Sequence, residues 1–281
     1  MTSLRAGLLV LFAAVSMPVA SACSPLAAQS AAETLPAPEI RQLDQAAPQT
    51  ILFVGNSYFY YNDSLHNHVQ RMVVASGVLG SAEPSYKSAT IGGAALQDHA
   101  VAHLVDHTNL RVDDPFELVI LQGISSAALS EASRTRFTNA ATKHAATIRA
   151  AGAQPVLYMT PAYAPEHRRY SPKMTAQTAR LYIDTANRLD ALVIPVGLAF
   201  EEALRRRPDI VLHKPFDSSH PSMLGTYLAA ATVFATLYGQ SPVGNTYTYF
   251  GSVSAEDALF LQEVAQDTVS SFFGRTTNDT E

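Results

Sequence analysis

Cysteine occurs once in the 281 residues, at Cys23, so no disulfide can form within the chain. Charge is sparse as well. Asp, Glu, Lys and Arg make up 15% of the residues and the formal net charge is −5, so the basic footprint of a nucleic-acid-binding protein is missing. The one basic cluster, Arg205-Arg206-Arg207, is short and stops at Pro208, which suits a solvated helix end better than a phosphate site. No apolar run reaches the roughly 20 residues of a membrane-spanning helix, and no internal repeat is visible. What remains is a chain that is 47% hydrophobic, enough to bury one sizeable core.

The first residues have the pattern of an export signal. Arg5 precedes an apolar run from Ala6 to Val15, and small residues follow, ending at Ala20-Ser21-Ala22. Residues 1–22 are therefore expected to be a signal peptide and the protein to be exported, periplasmic or extracellular. Cys23 directly after that run resembles the cysteine of a bacterial lipoprotein box, whose lipidation would tether the protein to a membrane. Ordinary cleavage nearby, for instance after Ala28, is the alternative. Residues 23–49 are rich in Ala, Pro, Ser and Gln without apolar periodicity and read as a linker. Residues 50–275 read as one folded domain and 276–281 as a tail.

Within that domain short apolar runs alternate with helical patterns. Ile51-Leu52-Phe53-Val54, Leu118-Val119-Ile120-Leu121, Pro155 to Met159 and Leu192 to Val196 are continuous and β-prone, and Tyr86 to Ile91 is a weaker candidate. Continuous apolar strands are expected where helices cover both faces of a parallel sheet. Segments 131–151, 172–190, 222–238 and 255–272 are long enough for helices, the last with Ser254 and Asp257 placed as a capping box. The alternation predicts a three-layer α/β/α sandwich around a mainly parallel, five-stranded sheet. Ligands in such folds bind beyond the carboxyl ends of the strands.

Two segments at such positions carry chemistry. Gly55-Asn56-Ser57 follows the first strand, so Ser57 projects from the ligand-binding edge; Asn and Ser there also suit a plain helix cap. Near the other end, Phe216-Asp217-Ser218-Ser219-His220-Pro221 sets a carboxylate three residues before an imidazole, with Pro221 suited to a first helical position. Asp217 can hold one ring nitrogen of His220 while the other faces Ser57, the division of labour that an activated hydroxyl needs.

Together these segments resemble the SGNH (GDSL-like) hydrolases. Gly55-Asn56-Ser57 is similar to their first signature block, and Asp217-Ser218-Ser219-His220-Pro221, running on into Gly225-Thr226-Tyr227-Leu228-Ala229, to their last. The resemblance spans about residues 50–245 and is weaker in the middle. It implies a flavodoxin-like fold, a triad of Ser57, Asp217 and His220, and two-step ester hydrolysis without metal or organic cofactor. Thr90-Ile91-Gly92-Gly93-Ala94 resembles the family's glycine block, which implies that the backbone N–H groups of Ser57 and Gly93, with Gly92 as second choice, hold the oxyanion. The family's Gly-x-Asn is not matched: Leu121-Gln122-Gly123-Ile124-Ser125-Ser126 places Ile124 near the Asn, leaving Gln122 or Ser125 as substitute donor. Losing one oxyanion donor typically costs about 10²–10³ in rate.

The remaining candidates weigh less. Tyr58-Phe59-Tyr60-Tyr61 is expected to pack largely into the core, with one or two rings lining the site. His99, His103 and His107 recur every four residues and are expected along one polar helix face, the outer two roughly 12 Å apart and so unable to share a metal ion. The expected partner is a small-molecule or glycan ester, with acetylated carbohydrate favoured by the export signal and the tyrosines. Two rival readings are a non-catalytic glycan-binding protein on the same scaffold and a phosphate binder using Gly92-Gly93 at a helix start.

Overall fold

The computed structural model describes Thr2 and residues 35–44 and 47–275. The expected signal peptide, Cys23 and the tail at 276–281 lie outside the described residues. Part of the expected linker behaves differently from its composition: residues 35–44 lie against the domain. Leu43 is buried, the Glu39 N–H donates to Asn187 Oδ1 at 3.0 Å, and Asn187 Nδ2 donates to the Ala37 carbonyl at 3.0 Å. Backbone hydrogen bonds of this kind need no apolar periodicity, so composition does not reveal them.

Five strands form one fully parallel sheet: β1 (Thr50–Gly55), β2 (Ser85–Thr90), β3 (Leu118–Gln122), β4 (Gln154–Tyr158) and β5 (Leu192–Ile194), in the order β2-β1-β3-β4-β5. The helices are α1 (Ser57–Tyr60), α2 (Leu65–Ser76), α3 (Val101–Leu104), α4 (Glu131–Ala150), α5 (Met174–Arg188), α6 (Val196–Arg206), α7 (Met223–Tyr238) and α8 (Ala255–Phe273). The fifth strand stops two residues short of the expected Val196. Pro195 has no N–H for the ladder and leads instead into α6 as its N-cap. Arg205 and Arg206 end α6 and pair with Glu202, while Arg207 pairs with Asp257.

Strand alternation sends successive residues to opposite faces. Ile51, Phe53, Leu118, Ile120, Val156 and Leu192 join one core with α2, α6, α7 and α8; Leu52, Val54, Val119, Leu121, Leu157 and Val193 join the other with α4 and α5. Both faces are covered, as continuous apolar strands require. Each such fully buried side chain contributes roughly 1.5–3 kcal/mol. Helix α7 is apolar nearly all round and buried along most of its length, which marks an interior helix rather than an amphipathic cover. Ser222 caps it by accepting from the Gly225 N–H at 3.1 Å. Pro221 thus stands before the cap, paired with His213 in an isolated bridge, rather than at the first helical position.

The histidines at 99, 103 and 107 do not share a helix. His99 ends a 3₁₀ turn, His103 lies in the four-residue α3, and His107 opens a second 3₁₀ turn that Asp106 caps through the Thr108 N–H. From β1 the chain runs to β2 on one side and then to β3 on the other. This strand order leaves a crevice between the carboxyl ends of β1 and β3, the switch point at which such folds bind ligands.

One consequence concerns acid. His66 is packed beside Phe53 with its Nδ1 buried and unpartnered, and burial pushes its pKa down to about 4. Burial also lowers His68 and His213. A histidine whose folded pKa lies below its unfolded value of about 6.5 contributes stability above that value and loses it as pH falls. The melting temperature should therefore drop between about pH 6.5 and 4. His66→Phe should flatten part of that slope in a pH series of thermal melts, and an unchanged slope would count against the burial effect.

Candidate active site

The turn that carries Ser57 is built by three residues. Gly55 ends β1 where a Cβ would lie 2.5 Å from Gln122 Oε1 and 2.8 Å from the Phe59 ring, so only glycine fits. Asn56 then serves as the N-cap of α1: its Oδ1 accepts from the Tyr58 N–H at 3.2 Å and its Nδ2 donates to the Ala94 carbonyl at 2.9 Å. The cap is thus Asn56, and the hydroxyl of Ser57 is left for another partner. That partner is the imidazole of His220, whose Nε2 lies 2.7 Å from Ser57 Oγ.

The second segment is a tight loop. Asp217 Oδ1 accepts from the N–H groups of Ser219 and His220, both at 3.0 Å, and Asp217 Oδ2 lies 2.5 Å from His220 Nδ1. Burial alone would raise the Asp217 carboxyl, but the hydrogen bonds from the His220 ring and from the two backbone groups outweigh it and hold it below the usual carboxylate range. The carboxylate stays ionised and fixes the Nδ1–H tautomer of His220, leaving Nε2 as the acceptor that faces Ser57. The structure brings Ser57, His220 and Asp217 into one line.

The oxyanion side is only partly as expected. Gly92 and Gly93 line the same cleft as Ser57 and His220. Gly93 has a φ of +71° with open space where a Cβ would stand, a backbone shape that favours glycine. Ser57 is the first residue of α1, so its N–H has no intrahelical acceptor. Gln122 is a correction. Its side chain is fully buried below the cleft, where Oε1 accepts from the Asn56 N–H at 2.9 Å and Nε2 donates to the Gly123 carbonyl. With both ends engaged it shapes the turn that carries Ser57, and it is not among the residues that line the cleft. Ile124, Ser125 and Ser126 line the cleft in its place. Ser125 Oγ is hydrogen-bonded to Tyr163 Oη at 2.9 Å.

The cleft has a volume of about 340 Å³. Three rings of the aromatic run line it, more than expected: Tyr58, Tyr60 and Tyr61, joined by Tyr163. Phe59 alone points fully inward, edge-on to Phe53 and Tyr158. The Tyr61 and Tyr58 rings lie 4.5 and 5.4 Å from the His220 ring. Tyr58 Oη is 2.8 Å from Ser219 Oγ, and burial pushes its phenol pKa upward.

This architecture defines a class: the fold is that of the SGNH (GDSL-like) hydrolases. Among solved structures, a DUF4886 family protein from Bacteroides uniformis superposes with a TM-score of 0.60, at 17% identity over 82% of this chain and 97% of its own. A protein from Slackia heliotrinireducens, described as a candidate SGNH hydrolase, matches at 0.54, with 22% identity over 68% of this chain and 99% of its own. An acetyl xylan esterase matches at 0.50, with 14% identity over 66% of this chain and 98% of its own. No family model matches the sequence, and no curated protein matches it significantly.

One residue of the site escaped the sequence reading. Asn62, just past α1, has a φ of +55°, a region where Asn is among the favoured residues. Its Nδ2 donates to the carbonyls of Pro221 and Ser222 at 2.9 Å and to Thr226 Oγ1 at 2.8 Å. His68 Nε2 in turn bonds the Asn62 carbonyl at 2.6 Å. Asn62 therefore ties the segment after Ser57 to the segment after His220. Asn62→Asp would turn that donor into a carboxylate facing three oxygens. It should lower kcat on a small ester by about 10–100-fold with KM little changed, because displacements near 1 Å at a reacting pair can cost that much. A kcat within twofold of the parent would show that Asn62 does not set the geometry.

Proposed function

We propose that this protein is an exported serine hydrolase that cleaves carboxylic esters, with O-acetyl groups on carbohydrate as its natural targets. The single observation that carries the reading is the line from Ser57 Oγ to His220 Nε2 at 2.7 Å and from His220 Nδ1 to Asp217 Oδ2 at 2.5 Å. A serine hydroxyl is a weak nucleophile until a base accepts its proton, and a neutral imidazole held by a carboxylate is that base. In the first step Ser57 Oγ attacks the ester carbonyl as its proton passes to His220 Nε2. The N–H groups of Ser57 and Gly93 hold the oxyanion, and His220 returns the proton to the departing alcohol. Water then attacks the acyl-serine by the same route and releases the acid.

Export rests on the pattern of residues 1–22, and attachment through a lipidated Cys23 on its place behind Ala20-Ser21-Ala22. The carbohydrate preference rests on Tyr60 and Tyr61, the cleft tyrosines with accessible rings, on which a sugar can stack. The non-catalytic alternative draws on Ile124, an apolar side chain on the oxyanion side of the cleft.

Purified protein should hydrolyse 4-nitrophenyl acetate and react with a fluorophosphonate probe at Ser57. Ser57→Ala and His220→Ala should each lower kcat by about 10⁴-fold or more, and Asp217→Asn by roughly 10³–10⁴-fold. An unlabelled Ser57 with no turnover of acetyl esters would reject the enzyme reading in favour of the binding protein.

A further inference from the structure

Among the residues that line the cleft there is one formally charged side chain outside the triad, Arg169, and no carboxylate. Arg169 is exposed, and no ion pair or side-chain hydrogen bond of its guanidinium is found among the described residues. The loop's own acid, Glu166, lines the neighbouring cavity instead. Asp217, the carboxylate behind the site, has both oxygens engaged by His220 and Ser219.

Two further cations lie on neighbouring segments, outside the residues that line the cleft; Lys214, like Glu166, lines the neighbouring cavity. Lys214 Nζ lies 5.1 Å from the centroid of the Tyr61 ring, which itself lies 4.5 Å from His220. Arg168 precedes Arg169, and the His167 ring between them and Tyr163 is 3.8 Å from the Tyr163 ring. Burial first, and then the charges of Arg168 and Arg169, lower the His167 pKa, with Asp217 acting in the opposite direction. An unpaired guanidinium keeps its planar fork available for an oxygen anion.

We propose that Arg169 recognises an anionic group on the substrate, a carboxylate, phosphate or sulfate carried by the same molecule as the ester. The proposal rests on the esterase reading and narrows it: the natural target is an acylated acidic molecule, such as an O-acetylated sugar bearing an acid group. Tyr60 and Tyr61 take the ring, Ser57 and Gly93 face the ester, and Arg169 in the cleft lining selects the charge. A local cluster of this kind also steers anions towards the cleft against the negative charge of the whole chain.

A matched pair of probes tests it: 4-acetoxybenzoate and 4-acetoxybenzamide, which share the ester and the ring and differ in charge. The full-length protein should favour the benzoate in kcat/KM by about tenfold, chiefly through KM, and the preference should shrink between low salt and 0.5 M salt (roughly a 4 Å Debye length). Arg169→Gln should bring the ratio close to one, and Arg169→Lys should keep part of it. Replacing the acid by phosphate or sulfate on the same ring shows which anion is preferred. A parent with no preference, a ratio unmoved by Arg169→Gln, or an equal loss on both probes would each overturn the proposal. If neither ester is turned over, the esterase reading fails separately. Calorimetric binding of 4-hydroxybenzoate against 4-hydroxybenzamide then decides the charge selectivity by itself, with equal affinities overturning it.

Discussion

A single hydrogen bond, 2.7 Å long, joins Ser57 to His220 across 163 positions of sequence. Most of the domain can be understood as what is needed to make that bond. The sheet order places the end of β1 beside the end of β3 and opens a crevice there. Helix α7, buried along most of its length, anchors the loop that precedes it. Neither a local motif nor a single helix could hold two such distant groups to hydrogen-bonding distance. Packed cores can, because their interiors are nearly as dense as organic crystals.

Beneath the hydroxyl lies a small polar interior that would be expensive if it were incomplete. The Gln122 amide, wholly enclosed, bonds the Asn56 N–H and the Gly123 carbonyl, and Asn56 bonds Tyr58 and Ala94. A buried polar group left without a partner costs about 1–3 kcal/mol. These groups instead satisfy one another and thereby fix the turn on which Ser57 stands. The same economy explains the glycine at position 55, since any larger residue would occupy the space of the Gln122 amide. The carboxylate of Asp217 follows the same logic at the other end, with three N–H groups holding its charge in place.

The layered architecture was legible because its signal is local. Four apolar strands and four long helices carry their burial in their own composition, and the serine, the glycine pair and the Asp-x-x-His segment sit at element ends that the strand pattern already marks. What was not legible depends on partners far away. Gln122 reads as available because sequence shows an amide after a strand and not its burial below the cleft, between the Asn56 N–H and the Gly123 carbonyl. Asn62 looked like an ordinary loop residue because its three acceptors lie about 160 positions away. The period of four in His99, His103 and His107 suggested one helix, but an Asp106 cap restarts the backbone between the last two. Residues 35–44 read as linker from composition because the hydrogen bonds that hold them to the domain leave no mark on it.

The loop from His213 to Pro221 closes on itself. Those two residues pair as an antiparallel bridge, the Lys214 N–H donates to the His220 carbonyl at 2.7 Å, and the Ser222 N–H donates to the Leu212 carbonyl at 2.9 Å. Base and carboxylate consequently ride on one clasped ring of backbone and travel as a single body. Rearranging the surroundings tunes how the ring meets Ser57 while leaving the imidazole's own charge partner undisturbed. A scaffold with that property can exchange its outer loops while His220 and Asp217 keep their mutual geometry.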